Sequence, residues 1–136
     1  MLVLVVDDNI VNQKLLRVAL EIEGFETTVA FDADEALRTL HDHRPDLILM
    51  DIQLPGMDGL ELSRRLKSDP ETSDIVIVAV TAFAMKGDRQ QAFDAGCDGY
   101  LTKPIDVLSL RPIIEGFVGG GAHAKTAIPP DPWKGA

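Results

Sequence analysis

Five residues of this 136-residue chain, of types that do chemistry, each stand where a short apolar run gives out. Asp7 and Asp8 close Leu2–Val6, Asp51 closes Leu47–Met50, Thr81 closes Ile75–Val80, and Lys103 follows Gly99–Leu101. Carboxylates brought close together repel and raise one another's pKa, so a site built from three of them needs positive charge. A hard divalent cation supplies it through oxygen ligands, and Mg²⁺ takes one or two carboxylates together with phosphate oxygens and waters. Lys103 adds a fixed charge of the same sign. Phosphoryl transfer asks for little more than an in-line nucleophile, a metal on the phosphoryl oxygens and donors for the developing charge. Asp51 is the candidate nucleophile, a carboxylate that forms an acyl phosphate. Asp8 and Asp51 are expected to hold the metal directly and Asp7 through water, with Thr81 and Lys103 on phosphate oxygens. Ala82 is small and leaves room for a phosphodonor to enter.

That chemistry works only if the chain brings the five residues to one place. Apolar runs alternate with longer amphipathic stretches through five cycles, the pattern of repeated βα units on a parallel sheet. The predicted strands are Leu2–Val6, Glu26–Ala30, Leu47–Met50, Ile75–Val80 and Gly99–Leu101. The first, third and fourth are nearly continuous apolar runs, as strands covered on both faces should be. Helices are predicted from Ile10 to Ile22 with Gly24 as the stop, over Ala33–Leu40, around Leu60–Leu66, from Ala84 to Ala95, and from Asp106 to Phe117 with Asp106 as N-cap. In an open parallel sheet ligands bind beyond the carboxyl ends of the strands, where strand order reverses. In a 2-1-3-4-5 order strands one and three are neighbours, which makes Asp7, Asp8 and Asp51 converge.

Each residue also has a plainer reading. Asp8 or Asn9 could cap the first helix, Asp51 could open the turn before Pro55-Gly56, and Lys103 could be a solvated loop lysine. Taken together the plainer readings fail, because no structural need puts acids, a hydroxyl and a lysine at one sheet edge.

The rest of the composition narrows the field. With 46% hydrophobic and 26% charged residues the chain is one ordinary globular domain, and a lone Cys97 excludes a disulfide scaffold. A formal net charge of −9 opposes nucleic acid and anionic membranes, so a protein partner is expected. The apolar start is six residues long and runs into Asp7, too short for a signal peptide or a membrane insertion, which makes the cytoplasm the expected compartment. The domain is expected over residues 1–118, and the Gly119-Gly120-Gly121 triplet and the prolines after it predict a flexible tail over 119–136. His41 and His43 read as solvated residues at a helix end, Cys97 as a packed side chain, and Trp133 as part of the tail.

The segments Val6-Asp7-Asp8-Asn9, Leu49-Met50-Asp51-Ile52-Gln53-Leu54-Pro55, Val80-Thr81-Ala82 and Leu101-Thr102-Lys103-Pro104 resemble the motif set of two-component response-regulator receiver domains, over roughly residues 2–117. The stretch from Val78 to Asp88 is similar to that of single-domain cell-cycle receivers of the DivK type. The resemblance implies an α/β fold, the flavodoxin-like (βα)₅ doubly wound parallel sheet. It implies Asp51 as phosphoacceptor and Mg²⁺ held by Asp7, Asp8, Asp51 and the backbone carbonyl of Gln53. Thr81 and Lys103 would contact the phosphoryl group, and Tyr100 would be the switch aromatic that swings inward with Thr81. The Lys103-Pro104 bond is expected to be cis, and Gln53 and Phe83 to tune hydrolysis of the acyl phosphate.

The implied partners are a histidine kinase or histidine phosphotransfer protein and a downstream target protein. A homodimer through the face of helix four, strand five and helix five is also implied. Pro112 weighs against that dimer, since inside helix five it cannot donate to the Leu108 carbonyl and should kink or shorten the helix.

Three other readings compete. A phosphatase of the haloacid-dehalogenase kind needs a second acid two residues after its aspartyl nucleophile, where this chain has Gln53. A flavodoxin-like electron carrier needs a first loop rich in Ser, Thr and Gly, where this chain has Asp7-Asp8-Asn9. Within the receiver family, a free-standing shuttle is favoured by the methionine start and short tail over a receiver excised from a hybrid kinase, or a degenerate constitutive interaction module.

Overall fold

The computed structural model describes residues 1–54, 56–81, 87–103 and 110–119. Ala82, Phe83, the Lys103-Pro104 bond, Asp106 as an N-cap and the tail beyond Gly119 lie outside the described residues.

Five strands, β1 (Leu2–Val6), β2 (Glu26–Ala30), β3 (Leu47–Asp51), β4 (Val76–Thr81) and β5 (Gly99–Thr102), alternate with helices α1 (Ile10–Ile22), α2 (Ala33–Asp42), α3 (Gly59–Ser68), α4 (Asp88–Asp94) and α5 (Leu110–Gly119). All four strand pairings are parallel, and the order is β2-β1-β3-β4-β5. The near-continuous apolar composition of β1, β3 and β4 reflects burial on both faces, since alternate side chains of a strand enter opposite layers. Leu4, Val6, Ile48, Met50, Ile77, Ala79 and Tyr100 form one core with Ala33 and Ala36 of α2, Leu62 and Leu66 of α3, and Ala92 of α4. Val3, Val5, Leu47, Leu49, Val78, Val80 and Leu101 form the other, with Leu16 and Leu20 of α1 and Ile113, Ile114 and Phe117 of α5.

The helix starts follow from caps. Asn9 accepts from the backbone N–H groups of Val11 and Asn12 and opens α1, Asp32 accepts from Glu35 and opens α2, and Asp58 accepts from Glu61 and opens α3. One expectation needs correction. The fourth helix does not run unbroken through Gly87, which takes a left-handed conformation (φ +93°) that a helix cannot contain; its described part is Asp88–Asp94, and the expected start at Ala84 lies outside the described residues. Pro112 stands in the described part of α5, while Leu108, whose carbonyl it was expected to leave without a donor, lies outside the described residues.

Candidate functional site

The strand register assembles the site. Val6 pairs with Met50, Met50 with Ala79, Asp51 with Val80, and Thr81 with Thr102. Asp7 therefore follows β1 at the level where Asp51 ends β3, and Lys103 follows β5 just beyond Thr81. Backbone bonds extend this ladder past the strand ends. Asp7 N–H donates to the Ala30 carbonyl (3.0 Å), Ile52 N–H to Val80 (3.1 Å) and Lys103 N–H to Thr81 (2.7 Å).

At the centre the Lys103 ammonium donates to Asp7 Oδ2 and to Asp51 Oδ2, each at 3.0 Å. The remaining oxygens are oriented by the loops: Asp7 Oδ1 accepts from the Asn9 N–H (2.8 Å) and Asp51 Oδ1 from the Gln53 N–H (2.9 Å). Asp7, Asp51 and Thr81 are buried, whereas Asp8 and the Gln53 side chain are exposed. Asp7, Asp8 and Asp51 each offer a carboxylate oxygen, and these three oxygens lie within 4.8 Å of one another. The structure thus brings together the three acids and the lysine that the sequence singled out.

Burial pushes the Asp51 carboxyl above its ordinary value; the Gln53 N–H and Lys103 oppose the shift without cancelling it, and the Asp7 charge adds to it. For Lys103 burial acts downward, but the hydrogen bonds and charges of Asp51 and Asp7 outweigh it and hold the ammonium above its ordinary value. One ammonium faces three carboxylates, so the cluster keeps excess negative charge. Its donors are all hard oxygens, two held in place by burial and one open to solvent, a set suited to a hard divalent cation.

Thr81 and Tyr100 are coupled by position. Tyr100 pairs with Ala79, and alternation along β4 puts Thr81 on the same sheet face, toward α4. Tyr100 is itself buried, with its side chain in the core that includes Ala92 and Cys97. His41 lies in the last turn of α2 and His43 caps its C-terminus, both away from the acids. Cys97 is a buried free thiol.

Two residues that shape the site were not singled out from the sequence. Gln13 is buried in α1 and its amide donates to the carbonyls of Asp7 and Ala30, each at 3.2 Å, so it fixes the end of β1 to that of β2. Its signal was present: a polar residue on the same helical face as Leu16 and Leu20. Gly59 opens α3 directly against β3. A Cβ there would stand 2.3 Å from the Asp51 carbonyl oxygen and 2.7 Å from Ile52 Cα, so only glycine permits this approach.

A flavodoxin-like sheet with an acidic cluster and a facing lysine at its carboxyl edge defines a phosphoryl-signalling α/β domain, and the comparisons specify which. The family described as the response regulator receiver domain matches residues 3–115, and the chain belongs to it. It is 47% identical to the polar-differentiation response regulator DivK of Brucella anthropi over 117 residues, which cover 86% of this chain and 95% of that protein. The DivK of Brucella ovis is 46% identical over the same length. Among solved structures, the receiver domain of the sensor histidine kinase PA1611 of Pseudomonas aeruginosa superimposes with a TM-score of 0.79 at 35% identity. That match covers 87% of this chain and 97% of that one, and that structure has a magnesium ion coordinated in its active-site cleft. A CheY-like receiver domain protein of Methanospirillum hungatei gives 0.81 at 28% identity over 89% of this chain and 95% of that one. The chain is therefore a receiver domain of two-component signalling, a family that works with histidine kinases and downstream targets. Among the described residues no helix is long and apolar enough to cross a membrane.

Proposed function

We propose that Asp51 is the phosphoacceptor of this receiver and that Asp7, Asp8, Asp51 and the Gln53 carbonyl hold Mg²⁺. The observation that carries the reading is the position of Lys103, whose ammonium contacts Asp7 and Asp51 at once, while the third acid, Asp8, has no ion pair among the described residues. When bound, Mg²⁺ supplies the charge on the phosphoryl oxygens that the acids alone would repel.

The chain's own residues do the rest. An Asp51 carboxylate oxygen attacks phosphorus, the bond from phosphorus to the donor breaks, and its electron pair leaves with the donor. The backbone N–H of Gln53 and the buried walls hold the Asp51 carboxylate in one orientation. Lys103 turns from the carboxylates to the incoming phosphoryl oxygens, and Thr81 donates its hydroxyl to another. Movement of Thr81 is transmitted to Tyr100 on the same face, and the switch biases the surface of α4, β5 and α5 between two states. That surface receives a downstream target or a second phosphorylated copy. The donor is a histidine kinase or histidine phosphotransfer protein in the cytoplasm, and the chain catalyses only its own phosphorylation and dephosphorylation. The receiver unit is residues 1–118, supported by the family match, with 119–136 as a tail outside it.

The test is intact mass after incubation with acetyl phosphate, with and without Mg²⁺, for the wild type and Asp51→Asn. One phosphoryl adduct is expected on the wild type with Mg²⁺ only. An adduct of equal yield on Asp51→Asn would remove Asp51 from its role, and none on the wild type would leave a constitutive interaction module.

A further inference from the structure

Of the three acids, two are held by their side chains and one is not. Asp7 and Asp51 each give one oxygen to Lys103 and the other to a backbone N–H. The exposed Asp8 carboxylate has no hydrogen bond or ion pair among the described residues. A side chain without partners is placed only as well as its backbone is, so Asp8 depends on the peptide groups on either side of it. The one after it is held at the Asn9 N–H, which donates to Asp7 Oδ1 at 2.8 Å. The one before it is held at the Asp7 carbonyl, which accepts from the Gln13 side-chain amide at 3.2 Å. The bonding matches a carboxamide, since two hydrogens on one nitrogen meet two carbonyls, those of Asp7 and Ala30, at the same distance. Ala30 in turn accepts the Asp7 N–H at 3.0 Å, so Asp7 is gripped at both its N–H and its carbonyl. The core does not ask for this residue. Gln13 is 4% exposed on the face of α1 that carries Leu16 and Leu20, where an apolar side chain would pack without the cost of desolvating an amide.

We propose that Gln13 is a positioning residue for the metal. Through the Asp7 carbonyl it holds the Asp7-Asp8 peptide so that an Asp8 oxygen stays within 4.8 Å of those of Asp7 and Asp51, and it thereby sets the Mg²⁺ affinity of the site. The inference rests on the reading of these acids as Mg²⁺ ligands. Ordering a ligand at the moment of binding subtracts from affinity, and apparent affinity falls with the fraction of time the ligand spends in place. Any residue at position 13 of α1 would donate its backbone N–H to the Asn9 carbonyl, as Gln13 does at 3.0 Å, because the helix requires it. The side-chain amide is the part that only a residue of this length and chemistry supplies. Gln13 has no bond to Asp51, so attack on phosphorus is unaffected once the metal is bound.

Amide NMR of the full chain titrated with MgCl₂ alone tests it. Gln13→Met keeps the length of the side chain and removes both donors. It should raise the Mg²⁺ dissociation constant about tenfold, the lower end for loss of a group that orients a metal ligand. Gln13→Asn keeps an amide but is one methylene too short to span both carbonyls. It should weaken binding in the same direction, and it carries the test if Gln13→Met does not fold. Leu16→Val loosens the same buried face of α1 without touching the loop, and should bind Mg²⁺ as the wild type does. Acetyl phosphate labelling gives a second readout: Gln13→Met should need about tenfold more Mg²⁺ for half its maximal rate, with the maximal rate unchanged. Wild-type Mg²⁺ affinity in the folded Gln13 variants overturns the inference and leaves the metal reading standing. Equal weakening in Leu16→Val also overturns it, because the effect would then be one of helix stability. A wild type whose Asp8, Asn9 and Gln53 amides do not respond to Mg²⁺ overturns the metal reading itself, and the inference with it.

Discussion

Where β5 begins, Lys67 of α3 reaches Asp98; where β5 stops, Lys103 reaches Asp7 and Asp51. The two lysines are similarly buried, with side chains 17% and 18% exposed, yet their surroundings differ in kind. Lys67 uses all three of its donors, on the Ser73 carbonyl (3.2 Å), the Ile75 carbonyl (2.7 Å) and Asp98 Oδ2 (2.8 Å). The same Asp98 oxygen accepts the Ile77 N–H at 2.9 Å, so one ammonium and one carboxylate close a balanced set. Lys103 instead faces two buried carboxylates and an exposed third. The first arrangement ties α3 to the start of β4 and β5 and asks for nothing more. The second is left short of positive charge, as a site must be if a cation and a phosphoryl group are to be bound there.

The comparison breaks most sharply if each lysine is removed. Lys67→Met would leave Asp98 as a buried carboxylate without its counter-charge, and loss of one partner from a buried pair costs about 3–5 kcal/mol. Thermal denaturation should show a fall in Tm that Mg²⁺ does not restore. Lys103→Met should cost about as much without metal, because the side chains of Asp7 and Asp51 are at least as buried as that of Asp98. Most of that loss should return on adding Mg²⁺, since a ligand that binds only the folded state stabilises it by mass action. Equal responses of the two variants to Mg²⁺ would erase the distinction between a structural and a functional pair.

A smaller effect separates charge from frame. Gly59→Ala changes no charge, but its Cβ would overlap the Asp51 carbonyl oxygen and force α3 away from β3. The cost should be about 1–3 kcal/mol, as for other insertions into packed backbone. Acetyl phosphate labelling should slow even where the variant is fully folded, because Asp51 moves with its own carbonyl. Labelling at the wild-type rate would show that the α3 contact supports the fold alone.

Much of this was legible in the sequence, and for identifiable reasons. β1 and β2 have the predicted bounds because Asp7 and Asp8 follow Leu2–Val6, and because Glu26–Ala30 lies between the left-handed turn at Gly24 and the Asp32 cap of α2. The start of α1 at Ile10 followed from the Asn9 cap, and its stop from Gly24, whose φ is +92°. An unbroken fourth helix was expected because the left-handed turn at Gly87 is a local backbone choice that periodicity does not weigh. The acids and Lys103 were legible because a parallel sheet sends every strand's carboxyl end to one edge. Gly59 and the Lys67–Asp98 pair were not, since each depends on two segments meeting in space. Asp98 lies 31 residues from Lys67, and no local pattern joins them.

The finest test of the comparison is the sign of a stability change. Asp51 holds its proton more tightly in the folded chain than at the ordinary carboxylate value of 3.8, chiefly because burial disfavours its charge. A raised folded pKa means that the folded state binds the extra proton, so the stability it contributes is present below the unfolded value and lost as pH rises through the folded one. In the absence of divalent cations, Asp51→Asn should therefore match or exceed the wild type. The gap should open above pH 3.8 and reach about 1 kcal/mol near neutrality, the usual gain when a strained functional residue is replaced. Asp98→Asn should move stability the other way, because it removes the charge that Lys67 requires. Adding Mg²⁺ should reverse the order at Asp51 by stabilising the wild type alone, and leave the order at Asp98 unchanged. Denaturant titrations across that pH range, with and without Mg²⁺, read all four cases. If Asp51→Asn proved the less stable protein at neutral pH without metal, the Lys103 cluster would be a balanced tie like the one at Lys67, and its excess of negative charge would have no functional meaning.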